Sequence, residues 1–335
     1  MLTHKLNFWP FQPGLVIIKK MVQKNFEPVY LKTYRQGLFP AKIEKAYLML
    51  EKCTICPRQC KVNRLQQELG FCRSGLLPEV SSYFPHFGEE KPLVGFHGSG
   101  TIFFTHCNLR CIFCQNYDIS HLGQGSQISL EKLAQMMLEL QKMGCHNINL
   151  VSPTHYVPQI LKALLLAIEK GLTIPLVYNT GGYDSFSTLK LLEGVIDIYM
   201  PDFKYSQSQV AAQYSKAADY PQVAKLALKE MHRQVGDLVL DEEGIARRGL
   251  LVRHLVLPHN LAGTAKIIKF LASQISPNTY VNIMDQYHPC GQVEAGSPLA
   301  RRITPQEYEQ ALAAAREAGL TRLDKREKFR LIWRF

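Results

Sequence analysis

The sequence predicts an α/β protein: a partial (β/α)6 barrel preceded by an N-terminal cysteine-rich extension. Three observations carry that prediction. From residue 101 onward, short and nearly continuous apolar runs alternate with amphipathic stretches, the pattern of a parallel sheet with right-handed helical crossovers. Six such βα units fit the chain, fewer than the eight that close a full barrel. The segments that follow the apolar runs are polar at equivalent places, as strand C-terminal ends are when a barrel carries a site there.

The elements follow in order. Residues 101–105 (Thr-Ile-Phe-Phe-Thr) are apolar, β-branched or aromatic and read as the first buried strand. Ser129 is placed to cap a helix over 130–143, apolar at Leu133, Met136, Met137 and Leu140. Strands are expected at 147–151, 174–178, 196–200, 250–256 and 280–284. Helices are expected at 158–170, 185–192, 208–214, 224–234, 262–273 and 305–318. Upstream, prolines 10, 13, 28 and 40 punctuate the chain before a helix over 42–52 with Ile43, Ala46, Tyr47 and Leu50 on one face. Glu89 and Glu90 read as part of a solvated turn. The division expected is an extension over 1–96 and a barrel domain over 97–335.

Composition bounds the class. Nine cysteines with no apolar h-region and cleavage site after the amino terminus argue against a disulfide framework and for metal ligation in a reducing cytoplasm. The only early apolar run, 15–18, is far too short to span a bilayer. The net charge of +11 comes from scattered Lys and Arg, a basic surface and not a nucleic-acid footprint.

The cysteines fall into two groups. Cys107, Cys111 and Cys114 stand at C-x3-C-x2-C on the loop leaving the first strand. Three thiolates so close suit an iron–sulfur cube with one iron left open. The alternatives are zinc, with His106 or His121 as fourth ligand, or three core cysteines. Cys53, Cys56, Cys60 and Cys72, at C-x2-C-x3-C-x11-C, suit a closed four-thiolate zinc site or a second iron–sulfur cluster, separate from the first group. Glycines 70 and 75 bracket Cys72.

The polar strand ends are Ser152-Pro153-Thr154-His155, Asn179-Thr180-Gly181-Gly182-Tyr183, Pro201-Asp202-Phe203-Lys204, Leu257-Pro258-His259-Asn260 and Asp285-Gln286-Tyr287-His288-Pro289-Cys290. Five at equivalent positions read as a built pocket, with Cys290 the one candidate to act directly on a substrate and an incidental thiol its alternative.

The C-x3-C-x2-C loop, with Phe113 just before its third cysteine, resembles the radical SAM superfamily. That resemblance implies a 4Fe–4S cluster on Cys107, Cys111 and Cys114, with S-adenosyl-L-methionine (SAM) on the fourth iron. Longer stretches, among them 56–60, 98–116, 147–155, 178–183, 197–205 and 253–258, resemble the glycyl-radical activating enzymes. The pattern resembles pyruvate formate-lyase activating enzyme and, more closely than that, a PflX-like branch. The implied roles are Lys204 on the methionine carboxylate, Asp202 on the ammonium, and His288 on a ribose hydroxyl. Where the superfamily commonly has Gly-Gly-Glu, this chain has Ser152-Pro153-Thr154. Ammonium recognition then falls to hydroxyls, carbonyls or Asp202, with Ser152, Thr154, Asn179 and Thr180 as further SAM contacts. The four-cysteine segment is absent from minimal activating enzymes.

The implied activity is reductive SAM cleavage to a 5′-deoxyadenosyl radical that takes hydrogen from a substrate, the glycyl residue of a partner enzyme by analogy. A low-potential electron donor of the flavodoxin or ferredoxin type is the implied partner. A small-molecule or peptide substrate is the alternative, and a non-catalytic iron–sulfur or zinc protein the third reading.

Overall fold

The computed structural model describes residues 26–324. The apolar run at 15–18 and prolines 10 and 13 lie outside the described residues. The strands are β1 (Glu79–His86), β2 (Ser99–Phe104), β3 (Ser126–Gln127), β4 (Ile148–Val151), β5 (Leu176–Thr180), β6 (Ile198–Pro201), β7 (Val239–Leu240), β8 (Ala246–Leu255) and β9 (Tyr280–Met284). They form one sheet in the order β3-β1-β2-β4-β5-β6-β8-β7, with β9 also on β8. The pairings β2–β4, β4–β5, β5–β6, β6–β8 and β8–β9 are parallel, so the six strands expected from the alternation form one parallel sheet. The result is the partial barrel the sequence predicts, mixed only at its edges, where β1 and β7 pair antiparallel.

The helices form for local reasons and bury one face. Helix Leu130–Lys142 starts where Ser129 accepts a hydrogen bond from the Lys132 N–H at 3.1 Å. Helix Val157–Glu169 carries Pro158 in its first turn, where the lost N–H has no intrahelical partner anyway. Leu133, Met137 and Leu140 of the first and Ile160 and Leu164 of the second join Ile148 and Leu150 of β4 in one continuous core. Each such side chain removed from water contributes roughly 1.5–3 kcal/mol. Tyr30, Phe39, Ala46, Ile55 and Cys56 belong to the same core. β1, on the N-terminal side of the expected boundary near residue 96, is hydrogen-bonded to β2 beyond it.

Of the departures from expectation, two bear on the site. β5 runs over Leu176–Thr180, later than 174–178, because Pro175 has no N–H to give the ladder and polar Asn179 and Thr180 are buried at the strand end. Glu89 and Glu90 do not form a solvated turn. Glu90 is fully buried and accepts a 2.7 Å bond from the Asn282 amide of β9, and Glu89 is nearly covered beside Arg253. The β1–β2 connection thus reaches across to β9.

Asp197, at the start of β6, accepts from the Leu176 N–H at 2.9 Å and the Val29 N–H at 2.7 Å. It thereby ties helix Val29–Arg35 to the sheet. Burial pushes its carboxyl up to about 7, against those two N–H bonds and Arg248. A raised carboxyl binds its proton more tightly folded than unfolded. Its contribution is therefore complete below the unfolded value near 3.8 and is lost as pH rises to about 7. Denaturant unfolding across that window is expected to show a fall in stability that Asp197→Asn removes. Equal pH slopes in the two proteins would refute it.

Candidate active site

The loop after β2 brings Cys107, Cys111 and Cys114 to the wall of one cavity of about 340 Å³, inside the barrel at the C-terminal strand ends. The backbone turns sharply there: His106 and Arg110 both take left-handed conformations, with φ of 64° and 54°. His155, buried after β4, fixes the loop's start by bonding the Thr105 carbonyl at 2.9 Å, and burial holds its imidazole near 3, hence neutral.

Each sulfur meets a donor. The Leu109 N–H points to Cys107 Sγ at 3.4 Å, Ser215 Oγ to Cys111 Sγ at 2.9 Å, and Ser120 Oγ to Cys114 Sγ at 3.1 Å. Donors aimed at sulfur suit thiolates, which accept hydrogen bonds. Burial works the other way. It raises the Cys107 thiol and, with Cys111 adjacent, pushes Cys114 up to about 12. Three anionic sulfurs in this volume need a positive centre among them, which a metal's own charge supplies. Among the described residues no three His, Cys, Asp or Glu side chains are already arranged to hold a metal ion. The fit is one of donor chemistry: three soft sulfurs, hydrogen-bonded from outside, facing a common space.

On the same cavity stand Asp202 and Lys204, just past the end of β6. Lys204 Nζ lies 2.6 Å from Asp202 Oδ2, and Arg253 Nε of β8 donates to Asp202 Oδ1 at 2.8 Å. Burial raises the Asp202 carboxyl, but Arg253 and Lys204 together outweigh it and hold the group below its usual range. Burial lowers Lys204, and Asp202 reverses that, so the ammonium stays charged. Tyr220 fixes this turn: its hydroxyl accepts the Lys204 N–H and lies 2.9 Å from the Gly181 and Asp202 carbonyls. Gly182 runs alongside at φ +76°, where a Cβ would come within 2.2 Å of the Asp202 carbonyl oxygen.

The remaining sequence-expected residues divide. Asn179, Thr180 and Ser152 line the cavity. Ser152 has φ 57°, a conformation more natural to glycine. Thr154 sits behind the wall, 2% exposed, with its hydroxyl on the Asp184 carboxylate at 2.8 Å. His288 does not line the cavity and meets it through Gln115, 3.4 Å away. Cys290 lies outside it too, its thiol donating to the Phe113 carbonyl at 3.3 Å. Of the two histidines weighed as zinc ligands, His106 faces Glu79 at 3.3 Å, and His121 stacks on Tyr117 and shares the Ser120 hydroxyl with Cys114. Sequence reasoning missed Arg253, Glu89 and His86, which line the cavity. Only Arg253 left a signal in the sequence: in the apolar run expected as strand 250–256 it is the single Arg or Lys, and a cation in a buried strand needs a partner.

In the second cysteine group, Cys53, Cys56 and Cys72 are buried and Cys60 is half-buried. The Cys53 N–H bonds the Val62 carbonyl and the Lys61 N–H bonds the Cys53 carbonyl, folding the segment back on itself. N–H groups of Ile55 and Arg58, each two residues on, face Cys53 and Cys56, and the Phe71 N–H donates to Cys60 Sγ at 3.3 Å. Burial, with Cys72 near, pushes Cys56 up to about 12.

A six-stranded parallel partial barrel with a thiol cradle at its strand ends defines a cofactor-binding α/β class. The model of the radical SAM superfamily matches residues 101–234. An uncharacterised protein of Methanocaldococcus jannaschii is 34% identical over 91% of this chain and 86% of its own length. The chain belongs to the radical SAM superfamily. A second uncharacterised protein of the same organism is 24% identical over 76% of this chain and 75% of its own. Among solved structures it is similar to HydG, a maturase of the FeFe hydrogenase, with a TM-score of 0.42 and 15% identity over 65% of this chain. The chain spans about half of that structure's length (48%). Membership implies a 4Fe–4S cluster and SAM. Among the described residues no helix is long and apolar enough to cross a membrane.

Proposed function

We propose that this radical SAM enzyme holds its cluster on Cys107, Cys111 and Cys114 and the amino-acid end of SAM at Asp202 and Lys204. The observation carrying this is the meeting of all five side chains on one cavity. When bound, the reduced cluster and SAM supply a 5′-deoxyadenosyl radical able to take hydrogen from a substrate. The chain's own residues bind, orient and exclude water. Lys204 offers an ammonium to a carboxylate, Asp202 accepts from an ammonium, and Ser152, in place of glycine, adds a hydroxyl on the same wall. Gln115 and Gln286 line the cavity between it and His288, so a histidine contact to ribose requires His288 to swing past Gln115.

For the substrate, the resemblance to activating enzymes supports a glycyl residue of a partner enzyme, with an electron donor of the flavodoxin or ferredoxin type. A second reading, a small molecule or peptide, is favoured by the charged groups His86, Glu89 and Arg253 on the same cavity. Anaerobic reconstitution with SAM and a reductant, followed by deuterium transfer from labelled candidates into 5′-deoxyadenosine, tests both. A reconstituted protein that never forms 5′-deoxyadenosine rules out the reading.

The segment of Cys53, Cys56, Cys60 and Cys72 we read as a closed metal site, zinc or a second iron–sulfur cluster, that acts on folding. Structural four-thiolate sites contribute on the order of 10 kcal/mol in small peptides. Replacing any one of the four is expected to lower the melting temperature and open the segment to protease while the main cluster keeps its iron and sulfide. Metal analysis of a variant lacking Cys107, Cys111 and Cys114 identifies the ion. Finding neither zinc nor iron there would overturn the assignment.

A further inference from the structure

The two cysteine groups are joined by one side chain. Arg58 lies between Cys56 and Cys60, yet its guanidinium leaves that segment and ends against the cluster loop. Its Nε donates to the Asn108 carbonyl at 2.8 Å, one residue from Cys107. One terminal nitrogen donates to the Lys216 carbonyl and the other to the Ser215 carbonyl at 3.0 Å. Ser215 is the residue whose hydroxyl donates to Cys111 Sγ, and Tyr205 backs that hydroxyl at 2.7 Å. The guanidinium plane is stacked 3.9 Å from the Phe71 ring, whose own N–H donates to Cys60 Sγ. The Tyr183 ring flanks it at 5.2 Å, and the Asn108 amide donates to the Tyr183 carbonyl at 2.7 Å. Helix Ser208–Ser215 ends at this point, with Lys216 in a left-handed conformation. Its last carbonyls are therefore open to a cation.

We infer that Arg58 is a positioning residue for the main cluster: the four-cysteine segment braces the Cys107–Cys114 loop through it. The three carbonyls it holds belong to two separate pieces of chain, the cluster loop and the end of the Ser208–Ser215 helix. A rigid planar fork held between two rings fixes those pieces relative to each other, which lysine's single flexible point charge does not do equally well. The consequence falls on Cys111. With the Ser215 carbonyl held, the Ser215 hydroxyl stays aimed at the sulfur. Hydrogen bonds to cluster sulfurs are among the factors that set a cluster's reduction potential, since they stabilise the more negative, reduced state. The four-cysteine segment then serves the chemistry as well as the fold.

This rests on the reading that Cys111 ligates a 4Fe–4S cluster, and the experiment separates the two. Parent, Arg58→Ala, Arg58→Gln, Ser215→Ala and the Arg58→Ala/Ser215→Ala double variant are reconstituted anaerobically. Iron and sulfide are counted, and the midpoint potential is read by EPR-monitored potentiometry. Arg58→Ala is expected to lower the potential in the same direction as Ser215→Ala, with cluster content unchanged. The double variant is expected to shift no further than Ser215→Ala alone, because both changes remove one hydrogen bond. Arg58→Gln keeps a donor but loses the fork, and is expected to fall between parent and Arg58→Ala. If Arg58→Ala does not fold well enough to load, the glutamine variant carries the comparison. Parent-like potentials in the arginine variants, or additive shifts in the double variant, overturn the brace. A parent protein that takes up no reducible cluster overturns the underlying ligand reading instead.

Discussion

Cys107→Ala, Cys111→Ala and Cys114→Ala are each expected to abolish SAM cleavage, leaving no 5′-deoxyadenosine above background. The three thiols are the cysteines that line the cavity, and Cys290 is held outside it on the Phe113 carbonyl. Of the two histidines weighed as ligands, His106 is engaged with Glu79, and His121 is stacked on Tyr117. The fold should survive. Cys107 and Cys114 are only half-buried, and alanine in their place removes one sulfur from a surface already open to the cavity. Loss of activity with an unchanged melting temperature in the metal-free protein is the expected pair of results. A single variant cleaving SAM at the parent rate, measured anaerobically, would show that the cluster is held elsewhere.

How legible all this was depends on the kind of signal. The parallel core announced itself because a strand buried on both faces must be a run of apolar residues, as Thr101–Thr105 and the stretch around Ile148–Val151 are. Cysteine spacing is equally local: three thiols within eight residues have few structural uses. What escaped depended on long-range placement. β1 carries Pro85 and polar Ser81 and Ser82, an edge-strand composition that resembles a loop until its partner is known. Glu90 looked like a solvated acid because only the fold brings Asn282, 192 residues away in sequence, to its carboxylate. Arg58 falls inside the Cys56–Cys60 spacing, and nothing local shows that it reaches Asn108 and Ser215. Thr154 and His288 were placed in the pocket by pattern. The structure sets the first behind the wall, satisfied by Asp184, and the second behind Gln115.

Lys204→Met is expected to weaken SAM binding about tenfold or more while iron and sulfide stay at parent levels. A charge-assisted hydrogen bond to a carboxylate typically contributes about 1.5–3 kcal/mol, and every 1.4 kcal/mol is a factor of ten in affinity. The structure makes this variant a clean one. Removing the ammonium does not strand Asp202, because Arg253 still donates to its other oxygen at 2.8 Å. Methionine matches the lysine stem that runs past Gly181. The loss is then one cation facing the cavity. Asp202→Asn is the harsher change, because it leaves Lys204 and Arg253, both held charged by that carboxylate, beside each other in a buried site. That variant should lose stability as well as affinity, and the contrast separates ligand contact from structural pairing. Calorimetry on the reconstituted proteins reads the first effect, and thermal unfolding reads the second. Unchanged SAM affinity in Lys204→Met would show that the 2.6 Å pair with Asp202 exists for the fold alone.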